Sequence, residues 1–415
     1  MKVCFISGEF PPMQGGIGDY TRELARALTK FGVEAHVVTS VKAGLSGLCI
    51  VHPIIETWSW RSLRTIDALL DDLQPAIIHI QYQTAAYSMH PAINFLPLWL
   101  RWRRANLRAA ITYHDLRVPY LFPKAGPVRW WVTLAPARWS YAVIVTNAED
   151  WQRLETGDWR LEITTSPRSP ISNLQSPTSN LQSPFLIPIG SNIHPNPPAD
   201  FDPDAWRAQV GIGRDETMLV YFGFLNASKG GETLIQGLDQ LTQRGYNCRL
   251  VMLGGQVGAS DPTNRAYLAR VNALIDKLDL ADRVMWTGFL PDERVSTYLM
   301  AADLAVLPYR DGASLRRGSL MAALAHGVPV VTTHPQEIRS TCDLPQLIDG
   351  VNIRLVPPDD PDALAQTVGD LIDDPTQRRQ LGLAARRLSQ AFTWERIAAQ
   401  HKAVYDQIAT TSAPE

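Results

Sequence analysis

The 415-residue chain predicts an α/β protein made of two doubly wound domains, each a parallel sheet with helices on both faces. Three observations carry that prediction. Short apolar runs alternate with amphipathic helical patterns, as expected for strands buried on both faces. The alternating series occurs twice, once over residues 2–146 and again from residue 218 onward. The length also exceeds what a single hydrophobic core supports and divides into two domains of about 200 residues.

In the first series, residues 2–7 read as a buried strand and 19–31 as an amphipathic helix. Residues 34–39, 77–81, 109–113 and 142–146 are the following strands. The periodicity fails at 164–184, a Ser/Pro/Asn tract in which SNLQSP occurs twice, at 172–177 and 179–184. Such a tract buries too little apolar surface to order itself and reads as a disordered surface insertion. The second series has strands at 218–223, 249–254, 284–287 and 304–308, with helices at 231–244, 263–278 and 292–302. Helices at 361–373, 375–388 and 394–408 close the chain, the last long enough to cross back to the first domain. The expected division is 1–190 completed by 393–415, and 191–392. Facing doubly wound domains would enclose a cleft, and ligands of such sheets bind outside the carboxyl ends of the strands.

Composition bounds the function. Hydrophobic residues make up 45% and charged residues 19%, with a net charge of −2, so nothing suggests a nucleic-acid partner. Cys4, Cys49, Cys248 and Cys342 are scattered without metal-ligand spacing and read as small hydrophobes in a reducing compartment. No run of about 18 apolar residues predicts a spanning helix, and the start MKVCFISGEFPP lacks a signal-peptide pattern. A cytoplasmic enzyme is the expectation. Nine of the twelve tryptophans precede residue 160, several beside arginines, as in PLWLRWRRANLR (97–108) and PVRWWV (127–132). A basic, aromatic helix of this kind suits peripheral contact with the inner face of a membrane; an ordinary packed helix with a cationic edge is the other reading.

The most informative stretch is 307–333, LPYRDGASLRRGSLMAALAHGVPVVTT. It reads as a strand end, a Gly-containing loop, a short helix and a strand at 328–333. Ser314 suits the helix N-cap and Gly327 the left-handed position after its end. Arg316 and Arg317 would then lie in the first turn, where cations oppose the helix dipole unless an anion is near. Solvated arginines on a helix flank would also account for them.

Three other motifs end strands. Gly15 and Gly16 precede the first helix and would let the backbone approach a ligand closely, although a tight turn needs glycine equally. GGIGDY is not the dinucleotide fingerprint, whose spacing it lacks. His114 and Asp115 follow the strand at 109–113; the imidazole can donate a hydrogen bond to a sugar hydroxyl or accept one, and the pair also arises by chance. Lys229 precedes Gly230 and Gly231 at a helix start, an arrangement suited to a diphosphate, or is a surface lysine.

In combination these segments resemble the family-4 glycosyltransferases of the GT-B fold. The order GEFPPMQGGIGDYTRELARAL, ITYHDL, LIPIGSNI, VYFGFLNASKGGETLIQGL, WTGFLPDERVSTYLMAADLAVLPY, ALAHGVPVVTT and FTWERIAAQHKAVY spans nearly the whole chain. The resemblance implies two Rossmann-like domains. It implies transfer, with retention of configuration, from a nucleotide diphosphate sugar to a glycan, lipid-linked or small-molecule acceptor, without metal or other cofactor. Lys229 would bind donor phosphate beside Gly15 and Gly16. His114, Asp115 and Asp311 would act at the reacting sugar, and Gly254, Gly288, Phe289, Ser314, Gly318 and Ser319 would contact the sugar nucleotide.

Two departures stand out. Members usually carry two glutamates eight positions apart around the short helix of this segment; the matching positions here hold Ser314 and Ala322. An arginine that often precedes the lysine by five positions is Phe224. Arg316 and Arg317 are expected to restore the lost positive charge, and Asp311 or Ser314 the sugar contacts. The same departures would permit a catalytically silent sugar-nucleotide-binding scaffold. A nucleotide-sugar 2-epimerase of the same fold would call for several acidic residues in the site.

Overall fold

The computed structural model describes residues 1–104, 106–116, 127–156, 183–255, 262–335 and 344–410. Residues 164–182 of the expected insertion, and Cys342, lie outside the described residues.

The chain forms two compact units. The first comprises residues 1–190 and the C-terminal segment from Trp394. Its elements are β1 (Lys2–Ser7), α1 (Gly16–Thr29), β2 (Glu34–Ser40), β3 (Ile50–Ile55), α2 (Trp60–Leu73), β4 (Ile77–Tyr82), α3 (Ala92–Arg103), β5 (Arg108–Tyr113), α4 (Pro127–Trp139), β6 (Ala142–Val145), α5 (Ala148–Thr156) and β7 (Phe185–Leu186). Seven parallel strands run in the order β3-β2-β1-β4-β5-β6-β7. The central strands are buried on both faces, which is why they read as continuous apolar runs rather than alternating ones.

Helix α1 starts at Gly16, three residues before the sequence expectation, because the Gly16-Ile17-Gly18 turn is already helical. It lays Tyr20, Leu24 and Leu28 onto the sheet. The final helix packs on α1: Trp394 meets Tyr20 edge-on, with ring centroids 5.1 Å apart, and the Lys30 ammonium lies 2.6 Å from the Glu395 carboxylate. Shared apolar burial of Ile397, Val404 and Tyr405 with Phe5 and Leu24 makes this helix part of the first core, though it comes last in sequence.

The second unit holds α6 (Pro203–Gln209), β8 (Thr217–Phe222), α7 (Gly231–Gln243), β9 (Cys248–Leu253), α8 (Pro262–Lys277), β10 (Val284–Trp286), α9 (Asp292–Ala301), β11 (Leu304–Leu307), α10 (Gly318–His326), β12 (Val330–Thr333), β13 (Arg354–Val356), α11 (Pro361–Asp373) and α12 (Pro375–Ser389), after which α13 (Trp394–Thr410) returns to the first unit. Six parallel strands run in the order β10-β9-β8-β11-β12-β13. Asp360 and Asp374 cap α11 and α12 with side-chain acceptors, each followed by a proline at the first helical position.

Ser314 is not the N-cap of α10: the helix begins at Gly318 and Arg317 occupies the cap position. Residues 314–317 form a turn closed by the Arg317 amide donating to the Ser314 carbonyl at 3.0 Å. Arg316 and Arg317 therefore precede the helix instead of lying in its first turn. Gly327 ends α10 with φ +69°, the left-handed conformation that favours glycine.

Strand order reverses direction between β1 and β4 in the first unit, and between β8 and β11 in the second. Loops leaving such neighbouring strands diverge to opposite faces and leave a crevice at their carboxyl ends.

Candidate active site

In the second unit, the crevice is made by the loops after β8 and β11, and these two loops are knitted together. Asn226 accepts hydrogen bonds from the Ser228 amide (3.0 Å) and hydroxyl (2.8 Å), folding residues 226–229 into a tight turn. The Arg310 amide donates to the Ser228 carbonyl at 2.9 Å. Gly230 has φ +68°, and a Cβ on it would sit 1.8 Å from the Pro308 carbonyl oxygen. Only glycine fits between the loops at that point.

This close approach brings Lys229 onto the Tyr309 ring, with Nζ 4.9 Å from its centroid. Arg317 lies against the same ring, its guanidinium carbon 4.1 Å from the centroid, and forms an ion pair with Asp311. Tyr309 is wholly buried and its hydroxyl is 2.7 Å from Ser319 Oγ, tying the platform to the first turn of α10. Two cations thus share one aromatic ring at the switch point. Burial, and after it the adjacent Arg317, lowers the Lys229 ammonium from 10.5 to about 8. The Arg317 Nε–H is buried without a partner among the described residues. The arrangement is under-neutralised and would accommodate an anion.

The residues around this platform differ in what they can offer a ligand. Asp311 is held by Arg317, which orders both side chains. Ser314 is half-buried and accepts from the Arg316 amide at 3.4 Å. Ala322 is completely buried inside α10 and offers no group to a ligand. Gly318 is exposed with open space around it. Gly223, which sequence reasoning did not single out as a site residue, follows β8 with φ +120° opposite Ser319.

A few residues away, Gly254 (φ +107°) and Gly288 (φ +66°) bridge the ends of β9 and β10. Gly255 lies close to Phe224: a Cβ there would meet the Phe224 ring at 2.8 Å. The Phe289 side chain is 66% exposed, unusual for an aromatic residue beside a sheet end.

In the first unit, the loop after β1 holds a residue the sequence reading overlooked. Glu9 reaches the N-terminus of α1, where the Ile17 amide donates to its Oε1 at 3.2 Å and the Gly18 amide also engages it. A Cβ on Gly15 would meet that carboxylate at 1.9 Å, whereas Gly16 has open space. Gly15 is therefore glycine to admit Glu9, and the helix N-terminus already carries an anion. Burial raises the Glu9 carboxyl above its usual range. His114 and Asp115 are half-buried at the end of β5. Burial first, then His401, pushes the His114 imidazole down to about 3, so it is neutral throughout the physiological range. Gly15, Gly16, His114 and Asp115 are residues of the first unit; Lys229, Asp311 and Arg317 cluster in the second.

Sequence comparison supplies the family. Residues 14–156 match the family model described as Glycosyltransferase Family 4, and residues 202–388 the one described as Glycosyl transferases group 1. The D-inositol 3-phosphate glycosyltransferase of Corynebacterium diphtheriae is 24% identical over 99% of this chain and 95% of its own length. The protein of that name from Xylanimonas cellulosilytica is 31% identical, but over 49% of this chain and 45% of the relative, so the matched part spans about half of it. Among solved structures, Anabaena HepE in complex with UDP and glucose superposes with a TM-score of 0.71 at 18% identity, covering 98% of this chain and all of HepE, a likeness of fold. Two parallel doubly wound units and both family models agree: the chain belongs to the family-4 glycosyltransferases of the GT-B fold.

Proposed function

We propose that this protein transfers a sugar, with retention of anomeric configuration, from a nucleoside diphosphate sugar to a glycan, lipid-linked or small polyol acceptor. The observation that carries the reading is the pair of cations, Lys229 and Arg317, held on one buried tyrosine at the switch point of the second sheet. A diphosphate completes their charge, and its leaving oxygen gains negative charge as the glycosidic bond breaks. Prepositioned cations stabilise that change most where water is excluded. The start of α7 beside Gly230 and Gly231 adds backbone amides to the same anion. The glycine bridge between β9 and β10, with Phe289 beside it, suits the nucleobase. HepE, which shares the fold, was solved with UDP and glucose, and relatives are named for transfer to inositol phosphate.

In this reading Arg316 and Arg317 supply the positive charge that Phe224 does not, and no metal or organic cofactor is required. On the first unit, His114 and Asp115 address sugar hydroxyls, while Gly16 offers backbone to a ligand. Trp60, Phe95, Trp131 and Trp139 form a continuous aromatic cluster, and Trp102 and Trp131 stand exposed beside arginines. That face suits peripheral contact with the cytoplasmic side of a membrane carrying a lipid-linked acceptor. No helix among the described residues is long and apolar enough to cross a membrane.

The test is a thermal-shift screen against UDP-, GDP- and ADP-sugars, followed by product analysis with the donor that binds. Binding raises the melting temperature by mass action, and Lys229→Ala should abolish the shift while leaving the fold intact. Binding without turnover across many acceptors would support a silent scaffold instead, and a product of inverted configuration would reject retention.

A further inference from the structure

Strand β4 and its continuation run beside His114 and Asp115. In the parallel register Gln81 pairs with Thr112 and Tyr82 with Tyr113, and the His114 amide donates to the Tyr82 carbonyl at 3.1 Å. The two glutamines flanking Tyr82 each take one member of the His-Asp pair. Gln81 Oε1 lies 2.9 Å from His114 Nε2, and Gln83 Nε2 donates to Asp115 Oδ2 at 2.9 Å. From α1, Tyr20 meets the imidazole edge-on at a centroid distance of 4.7 Å. Tyr20 is itself held by α13, its hydroxyl 3.3 Å from His401 Nε2. His401 Nδ1 lies 2.9 Å from the Ile397 carbonyl, which can only accept; Nε2 is thus the acceptor and Tyr20 the donor.

The same logic applies to His114. A carboxamide oxygen only accepts, so the Nε2 facing it carries the proton, and a neutral imidazole then has a bare Nδ1. That atom has no partner among the described residues. Gln81 is wholly buried, and its NH2 group is without a partner among the described residues, an arrangement unfavourable in itself. The bond to His114 is what its carboxamide makes.

We infer that Gln81 and Gln83 are positioning residues that lock His114 as the Nε2–H tautomer and fix the Asp115 carboxylate, so that Nδ1 accepts a hydrogen bond from a substrate hydroxyl. This deepens the proposed function, resting on it for the substrate but not for the tautomer. His114 thereby selects a sugar that presents a donating hydroxyl; a deoxy or O-methyl sugar at that position loses the contact. The titratable groups around the ring are Tyr20 from α1, His79 from β4, His401 from α13 and neighbouring Asp115.

The tautomer is read directly from long-range 1H–15N spectra of the full chain labelled at histidine, with His114→Gln identifying the resonance by its loss. The expected wild-type spectrum at pH 7 shows a protonated Nε2 and an unprotonated Nδ1. Gln81→Leu should average the two nitrogen shifts, and Gln81→Glu should restore the Nε2–H form and raise the imidazole pKa into the titratable range. Circular dichroism and melting temperature confirm that each variant is folded. A wild-type Nδ1–H form, which a rotated Gln81 amide would impose, overturns the inference, as does a spectrum unmoved in folded Gln81→Leu. If the tautomer is as stated and His114→Ala still transfers sugar at the wild-type rate, the substrate role of His114 fails while the tautomer lock stands.

Discussion

Changing the pH from 7 to 9 perturbs a single cation of the proposed phosphate site. Lys229 is lowered to about 8 by burial and then by Arg317, with Asp311 opposing. Its charged fraction falls from about nine-tenths at pH 7 to about one-tenth at pH 9. If a nucleoside diphosphate binds only the ammonium form, the apparent Kd for UDP or GDP rises about tenfold over that interval, equivalent to roughly 1.4 kcal/mol. An anion bound against the lysine raises its pKa again, so binding at pH 8 takes up about half a proton. Isothermal titration calorimetry in two buffers of different ionisation enthalpy measures both quantities. Stability moves the other way. The unfolded lysine keeps its proton up to about 10.5, whereas the folded one loses it near 8. Between these values the unfolded state binds more protons, so this group's contribution to stability improves as pH rises. Affinity falling while stability holds or improves separates loss of the cation from loss of the fold, and Lys229→Met should lose binding at pH 7 and pH 9 alike while remaining folded. A Kd flat from pH 7 to 9, with no proton uptake, would refute the assignment.

Gly230→Ala places a Cβ against the Pro308 carbonyl in a left-handed backbone and should cost about 2–4 kcal/mol of stability by urea unfolding. Tyr309→Leu removes the ring under both cations and should weaken nucleoside diphosphate binding by roughly 1–2 kcal/mol, whereas Tyr309→Phe keeps the ring and should change it little. Phe289→Ala should leave the melting temperature unchanged and weaken nucleotide binding by about 1–3 kcal/mol if the exposed ring stacks on the base; an unchanged Kd for UDP and GDP alike would remove Phe289 from the base site. Glu9→Ala should lower the melting temperature by releasing the amides of α1, at a cost of about 1 kcal/mol.

Much of the fold was legible because parallel strands buried on both faces are continuous apolar runs and the helices between them have a 3.6-residue apolar period. Helix α11 came out at its observed ends, since Asp360 and Pro361 spell an N-terminus by themselves. The edge strands β3, β7 and β13 were missed: β7 and β13 are two and three residues long and carry no period, and the six residues of β3 include His52 and Pro53, which break an apolar run. The start of α10 was misplaced because Ser314 looks like a cap, yet the 314–317 turn intervenes and brings Arg317 onto Tyr309 and Asp311. Positions of charge were readable; their partners were not.

Local sequence was enough for most central strands and several helices, their order, the family motifs and the presence of cations and glycines after the strands, all of which depend on neighbours within a few residues. Which of those groups meet is set by long-range packing. Glu9 fills the helix start that Gly15 vacates, Gly230 admits the Pro308 carbonyl, Tyr309 gathers Lys229 and Arg317, and the β4 glutamines take hold of His114 and Asp115. Sheet register accounts for this. Residues about 33 positions apart along the chain, such as Gln81 and His114, become hydrogen-bonded neighbours only once β4 and β5 pair, and a single sequence carries no local signal of that pairing.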